Sequence, residues 1–169
     1  MPVLIRQTSG TVHVDASTVD LAGAELVVEF EPEWTGNGLV EADPAGDGAR
    51  ILCGQEIGSI AVTAQLWDGA PPPVDDLGAW QDAAEVSVAW RSPFVDFGTT
   101  GDGDDAAHRL ALPGPGTYRL RVHGRHRDDG DPREDEDPQE EYLIQVWAAP
   151  DDVADVIKAT SETARGWRA

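Results

Sequence analysis

Basic residues are scarce in this chain of 169 residues. Twelve Lys and Arg stand against 32 Asp and Glu, so the formal net charge is −20 at pH 7. Proteins that bind DNA or RNA contact phosphates through clustered Lys and Arg, and anionic membrane surfaces attract the same residues. The composition therefore argues against nucleic-acid and membrane binding, and it favours basic proteins or cations as partners.

Cysteines and long apolar runs are lacking as well. Cys53 is the only cysteine, which excludes an internal disulfide. No stretch approaches the roughly 20 apolar residues of a membrane span, and the first nine residues do not show the pattern of a signal peptide. We therefore expect a cytoplasmic protein whose hydrophobic residues, 40% of the chain, build a core without disulfides.

Hydrophobic residues recur with a period of two along most of the chain. In residues 117–123, for example, the apolar Tyr118, Leu120 and Val122 alternate with polar residues, as on a strand with one buried face. Alternation or a short apolar run also occurs in residues 3–6, 11–16, 25–33, 49–53, 59–67, 85–91, 109–112 and 141–147. Turn sequences at 36–38, 71–73, 101–103 and 113–116 separate these segments. The chain is therefore predicted to be all-β, an antiparallel β-sandwich of about eight or nine strands.

The last twenty residues change their period. Spacings of three and four predict a short α-helix over residues 151–165, with Pro150 at its start and Gly166 as the candidate C-cap. The residues with this spacing are Val153, Val156, Ile157 and Thr160. We therefore divide the chain into a β-sandwich domain, residues 1–149, and a C-terminal helix and tail, residues 150–169.

The most acidic segment lies between two predicted strands. Nine of the fourteen residues 128–141 are Asp or Glu, and we call this segment the acidic loop. A loop held at both ends by a sheet presents carboxylates to a basic partner with less ordering cost than a free tail. The alternative is a mobile, solvated loop. The candidate partner-binding residues are Asp128, Asp129, Asp131, Glu134, Asp135, Glu136 and Asp137.

A basic segment leads into the acidic loop. Its members are Arg119, Arg121, His123, Arg125, His126 and Arg127. We expect these side chains to pair with nearby carboxylates of the same chain rather than to form a ligand site. Isolated surface pairs of this kind add little stability.

Metal and catalytic motifs are incomplete. The alternating acidic residues of 135–141 lack the glycine and the flanking helices of a calcium-binding EF-hand. His123 and His126 have no third metal ligand nearby. Cys53 has no nucleophile motif around it and is predicted to be a small buried hydrophobic residue, and no serine stands in a Gly-x-Ser-x-Gly context. We therefore expect no metal, no cofactor, no catalytic residue and no enzymatic activity.

Three stretches in residues 90–147 carry a family likeness. They read Ser-Pro-Phe-Val at 92–95, Leu-Ala-Leu-Pro-Gly-Pro-Gly-Thr-Tyr-Arg-Leu at 110–120, and Glu-Tyr-Leu-Ile-Gln-Val-Trp at 141–147. This order resembles the C-terminal half of the competence-nuclease inhibitor family, small acidic β-rich proteins that bind and inhibit a DNA-entry nuclease. The resemblance implies a β-rich fold and a nuclease as partner. This chain departs from the family pattern in its acidic loop and its C-terminal helix.

Charge and resemblance together predict a non-enzymatic acidic binding protein. In this interpretation it is an inhibitor or immunity protein for a basic partner, such as a nuclease or toxin, and its carboxylates imitate nucleic-acid phosphates. The alternative is a structural or scaffolding β-sandwich protein whose acidic surface serves only solubility. The sequence leaves the oligomeric state and the identity of the partner open.

Overall fold

The strands of the molecule form two β-sheets. A computed structural model describes residues 1–24, 30–98 and 108–169. The strands in these residues are β1 (Leu4–Val14), β2 (Thr18–Ala22), β3 (Val40–Ala42), β4 (Gly48–Leu52), β5 (Gly58–Trp67), β6 (Asp82–Trp90), β7 (Phe94–Asp96), β8 (Arg109–Ala111), β9 (Gly116–Arg125), β10 (Glu141–Ala148) and β11 (Asp155–Ala159). A 3₁₀ turn (Leu77–Ala79) precedes β6, and a short helix, α1 (Glu162–Arg168), follows β11.

The strands form a six-stranded sheet in the order β1-β5-β10-β9-β6-β11 and a five-stranded sheet in the order β3-β4-β2-β7-β8. The prediction of an all-β sandwich with a short C-terminal helix is confirmed. One feature departs from a purely antiparallel arrangement, because β10 runs parallel to β5. Alternation in a sequence specifies which face of a strand is buried, but not which strand lies beside it.

The predicted strand faces are confirmed in the core. Tyr118, Leu120 and Val122 of β9 are at most 3% exposed, and Ile144 of β10 and Trp90 of β6 are 1% exposed. They belong to one apolar cluster together with residues of the five-stranded sheet such as Leu21 and Ile51. The core therefore lies between the two sheets, and the polar positions of β9 and β10 lie on the outer side of the six-stranded sheet.

Several strand boundaries differ from the prediction. The sequence predicts separate strands at residues 3–6 and 11–16, but the single strand β1 (Leu4–Val14) includes most of both. The three-residue strands β3 and β7 are too short to show alternation. Of the predicted strand 25–33, residues 25–29 lie outside the described residues and residues 30–33 are not in a strand. The predicted turn at 101–103 also lies outside the described part.

The predicted helix over residues 151–165 is wrong in its position. Residues 155–159 form β11, which pairs antiparallel with β6 at the edge of the sheet. Helix α1 begins after Ser161, whose hydroxyl accepts a hydrogen bond from the Ala164 amide at 2.9 Å. Gly166 lies inside this helix and does not cap it. The β-branched residues of this segment suit a strand as well as a helix, and the free edge of β6 decides between the two.

Candidate functional site

The acidic loop connects two neighbouring antiparallel strands, β9 and β10. The pair of residues nearest the loop is Arg125 at the end of β9 and Glu141 at the start of β10. The loop is therefore the long hairpin connection that the sequence predicts. It is folded around its own arginine, Arg133, whose side chain is only 13% exposed. This guanidinium donates to the carbonyls of His126 and Pro138 and to the carboxylate of Glu140.

Glu140 attaches the loop to the turn between β4 and β5. Its side chain is fully buried, and its carboxylate accepts hydrogen bonds from the amides of Gly54 at 3.1 Å and Gln55 at 3.2 Å. The hydroxyl of Tyr142 donates to the same carboxylate at 2.7 Å. These donors, together with Arg133, compensate for the burial of a charged group. Glu140 is thus an anchor and not a residue that faces a partner.

Asp128 attaches the loop to helix α1. Its carboxylate accepts hydrogen bonds from the amide of Glu162 at 2.8 Å and from the amide and hydroxyl of Thr163 at 3.0 and 2.8 Å. Partial burial opposes ionisation, but these hydrogen bonds lower the pKa of Asp128 below its usual value. A further attachment comes from Asp131, which accepts from the amide of Glu56 at 3.0 Å.

The seven predicted partner-binding residues therefore fall into two groups. The first group makes contacts within the protein and contains Asp128, Asp129, Asp131 and Asp137. Asp128 and Asp131 anchor the loop. The carboxylate of Asp129 lies 2.9 Å from a ring nitrogen of His126, and that of Asp137 accepts from the amide of Glu134 at 2.9 Å. The other group is Glu134, Asp135 and Glu136, whose side chains are exposed and make no hydrogen bond or ion pair within the described residues. We call these three residues the acidic tip. Binding of a partner by any of the seven stays a prediction.

Arg127 directly precedes the acidic loop and is buried, a placement that the sequence did not reveal. Its guanidinium lies between the two sheets and donates to the carboxylate of Asp82 and to the carbonyls of Gly38 and Leu52. Its Nε also donates to the hydroxyl of Tyr142 at 3.3 Å. Arg127 therefore joins the base of the acidic loop to both sheets.

The expected internal pairing of the basic segment is confirmed except at His123, whose ring nitrogen lies 3.3 Å from the Leu143 carbonyl. Arg119 and Arg121 share the carboxylate of Glu85 at 3.1 and 3.0 Å, and Arg125 pairs with Glu141 at 2.7 Å. The partners Glu85 and Asp82 lie on the neighbouring strand β6, far from the basic segment in sequence. Only strand order could have identified them.

Cys53 and His123 are both buried and offer no visible catalytic arrangement. Cys53 is 2% exposed, as predicted, and burial together with the charge of Glu140 raises the pKa of its thiol. His123 is 1% exposed, and its ring lies 5.6 Å from that of Trp80. Burial lowers the pKa of His123, so the ring is neutral near pH 7. Inside the folded protein the ring is therefore neutral and the thiol protonated near pH 7.

The residues that the structure describes contain no cluster of three or more His, Cys, Asp or Glu able to hold a metal ion. In the same residues, no helix is long and apolar enough to cross a membrane. The expectation that the protein needs no metal or other cofactor stays a prediction.

Comparison with known proteins gives a fold relationship. No family model and no curated protein matches the chain. Among solved structures, ComJ from Bacillus subtilis, an inhibitor of the DNA-degrading activity of NucA, matches 88% of this chain and 99% of its own, with a TM-score of 0.54 and 12% identity. The protein described as crocagin biosynthetic gene J matches 86% of this chain and 98% of its own, with a TM-score of 0.53 and 18% identity. At these identities the comparisons show a shared fold, and the resemblance to a nuclease-inhibitor family is confirmed at that level.

Proposed function

We propose that this protein is a non-enzymatic inhibitor or immunity protein that binds a basic partner such as a nuclease. The observation that carries the proposal is the fold shared with ComJ over 88% of this chain and 99% of that one. Because one fold can host many functions, the charge of −20 is needed as a second support. A nuclease binds phosphates with basic groups, so a surface of carboxylates competes for the same groups.

The acidic tip is the part of the loop that fits this role. Its three carboxylates point to solvent, while the rest of the loop is attached to the β4–β5 turn and to α1 through Glu140, Asp131 and Asp128. Charges in a fixed position steer a partner of opposite sign during encounter. They also spare much of the ordering cost that a mobile loop adds to binding.

A binding experiment tests the proposal directly. The tagged protein is used to capture partners from the lysate of its own cells at low and at high salt, and captured nucleases are then assayed on DNA with increasing amounts of this protein. We expect a basic nuclease that is captured at low salt, is released by high salt, and loses activity in proportion to the added protein. If no captured basic protein loses activity, the inhibitor role is refuted and the scaffolding alternative gains support.

The contribution of the acidic tip is measured with the variant Glu134→Gln/Asp135→Asn/Glu136→Gln. We expect slower association with the partner, and a loss that shrinks as salt shortens the screening length to about 8–10 Å and below. The control variant Asp75→Asn/Asp151→Asn/Asp155→Asn removes the same charge from exposed positions outside the loop. Association of the tip variant at the rate of the control variant in low salt would show that the acidic loop is only a solvated connection.

A further inference from the structure

Arg133 is the only basic residue of the acidic loop, and it does not lie on the surface of the loop. Its side chain is 13% exposed and reaches across the loop to residues on both sides of the acidic tip. The His126 carbonyl lies before the tip, and the Pro138 carbonyl and Glu140 carboxylate lie after it, the last two at 3.0 Å. One guanidinium therefore joins the incoming and outgoing chains of the loop.

The acidic tip lies in a turn that is closed by hydrogen bonds between Glu134 and Asp137. The Asp137 carboxylate accepts from the Glu134 amide at 2.9 Å, and the Asp137 amide donates to the Glu134 carbonyl at 3.0 Å. Beyond the turn, Glu140 is fixed to the amides of Gly54 and Gln55. The guanidinium is thus a side-chain link between the turn and Glu140, in addition to the attachment of the loop through Asp131.

The hydrogen bonds of Arg133 all come from the two terminal nitrogens of its guanidinium. Its Nε is buried and has no hydrogen-bond partner, and an unsatisfied buried N–H is unfavourable. Around it, the carboxylates of the loop repel one another and favour an expanded loop. A single buried cation at the centre opposes this expansion.

We propose that Arg133 is a positioning residue, which holds Glu134, Asp135 and Glu136 in the one arrangement that the basic partner recognises. This inference rests on the proposed function. Arg133 itself touches no partner in this proposal. It acts by ordering the acidic tip before the partner arrives, so that less conformational freedom is lost on binding.

Charge and positioning predict opposite results for the variant Arg133→Gln. Removal of a positive charge makes the loop more negative, so electrostatics alone would strengthen its attraction for a basic partner. Loss of the link, in contrast, loosens the acidic tip and weakens binding. The direction of the change therefore separates the two explanations.

The first measurement is hydrogen exchange of the free protein, which needs no partner. We expect the amides of Glu134 and Asp137 to exchange about tenfold faster or more in Arg133→Gln, the size expected for losing a charge-assisted hydrogen bond. Arg133→Lys, which keeps the charge and part of the hydrogen bonding, should recover part of the protection. Exchange in core strands, such as β9, serves as the internal control for folding. Unchanged exchange at the tip would overturn the proposal.

The second measurement is the affinity for the basic partner captured by the wild-type protein. We expect Arg133→Gln to bind the partner with an affinity lower by about tenfold or more. Arg133→Lys should bind with an affinity between those of Arg133→Gln and the wild type. The matched control is Arg91→Gln, which makes the same change in charge at a side chain that is 70% exposed. Arg91 directly follows β6, at the end of this strand that is far from Asp82. If Arg133→Gln binds as well as Arg91→Gln, Arg133 does not position the tip, although the proposed function stands. If the wild type captures no basic partner, the proposed function itself fails, whatever the exchange experiment shows.

Discussion

The guanidinium of Arg127 and the carboxylate of Asp82 meet at 2.5 Å inside the protein, with side chains 0% and 1% exposed. The other oxygen of Asp82 accepts hydrogen bonds from the amides of Thr160 and Ser161, just before helix α1. On the opposite side, Arg127 reaches the carbonyl of Leu52 at 2.6 Å. This ion pair therefore connects β6, the five-stranded sheet and the C-terminal segment.

Removal of Arg127 should be strongly destabilising. We expect Arg127→Met to lower the free energy of unfolding by about 3–5 kcal/mol, because the Asp82 carboxylate stays buried without its cation. Denaturant titration followed by circular dichroism measures the change. The double variant Arg127→Met/Asp82→Leu should recover part of the loss, since it leaves no unpaired charge. Arg127→Met of wild-type stability would show that the pair is not buried as described.

The core between the sheets is tested at Leu120. This side chain is 1% exposed in the middle of β9. We expect Leu120→Ala to lower the free energy of unfolding by about 2–5 kcal/mol through lost burial and the cavity that remains. The control is Val156→Ala on β11, where the side chain is 37% exposed and a change of about 0.5 kcal/mol or less is expected. Equal thermal midpoints for Leu120→Ala and the wild type would contradict the assigned strand face.

The thiol of Cys53 should be protected from chemical modification in the folded protein. Its burial raises the pKa, and the thiolate is the form that reacts with disulfide reagents. We expect no reaction with such a reagent at pH 8 under native conditions, and complete reaction of one thiol per chain in denaturant. Rapid native labelling would show that the region around Cys53 opens without global unfolding.

Burial of His123 should make stability depend on pH. Since its pKa is lowered in the folded state, the unfolded chain takes up a proton first as the pH falls below about 6.5. The stability linked to this residue is therefore complete above that pH and is lost as the pH falls towards the lower pKa of the folded state. We expect the wild type to lose more stability between pH 7.5 and 5.5 than His123→Gln does.

Denaturant midpoints across this pH range provide the measurement for His123. The control variant is His13→Gln, which removes a histidine at an exposed position on β1. If the midpoints of the wild type and of His123→Gln change with pH in the same way, His123 takes up its proton equally easily in the folded and the unfolded state.

The C-terminal segment shows where a local pattern is insufficient. Val156 and Ile157 fit an amphipathic helix by their spacing, yet they belong to β11. Their side chains are 37% and 38% exposed, so burial did not select one conformation. Backbone pairing with β6, for instance between Val156 and Ala84, selected the strand. Such pairing depends on a strand more than sixty residues away in the sequence. The spacing of apolar residues within one segment carries no information about that strand.

The sequence by itself determined the class of the fold, the buried face of the strands and the loop of highest charge. These properties follow from alternation and composition, as the burial of Leu120 and Ile144 confirms. Only the tertiary structure decided which charged groups face solvent. Arg127 and Glu140 look like surface residues in the sequence, but they are buried because Asp82, Leu52, Gly54 and Gln55 lie beside them in the fold. A charged group can leave water only where fixed partners replace its hydration, and here those partners lie about 45 to 86 residues away along the chain.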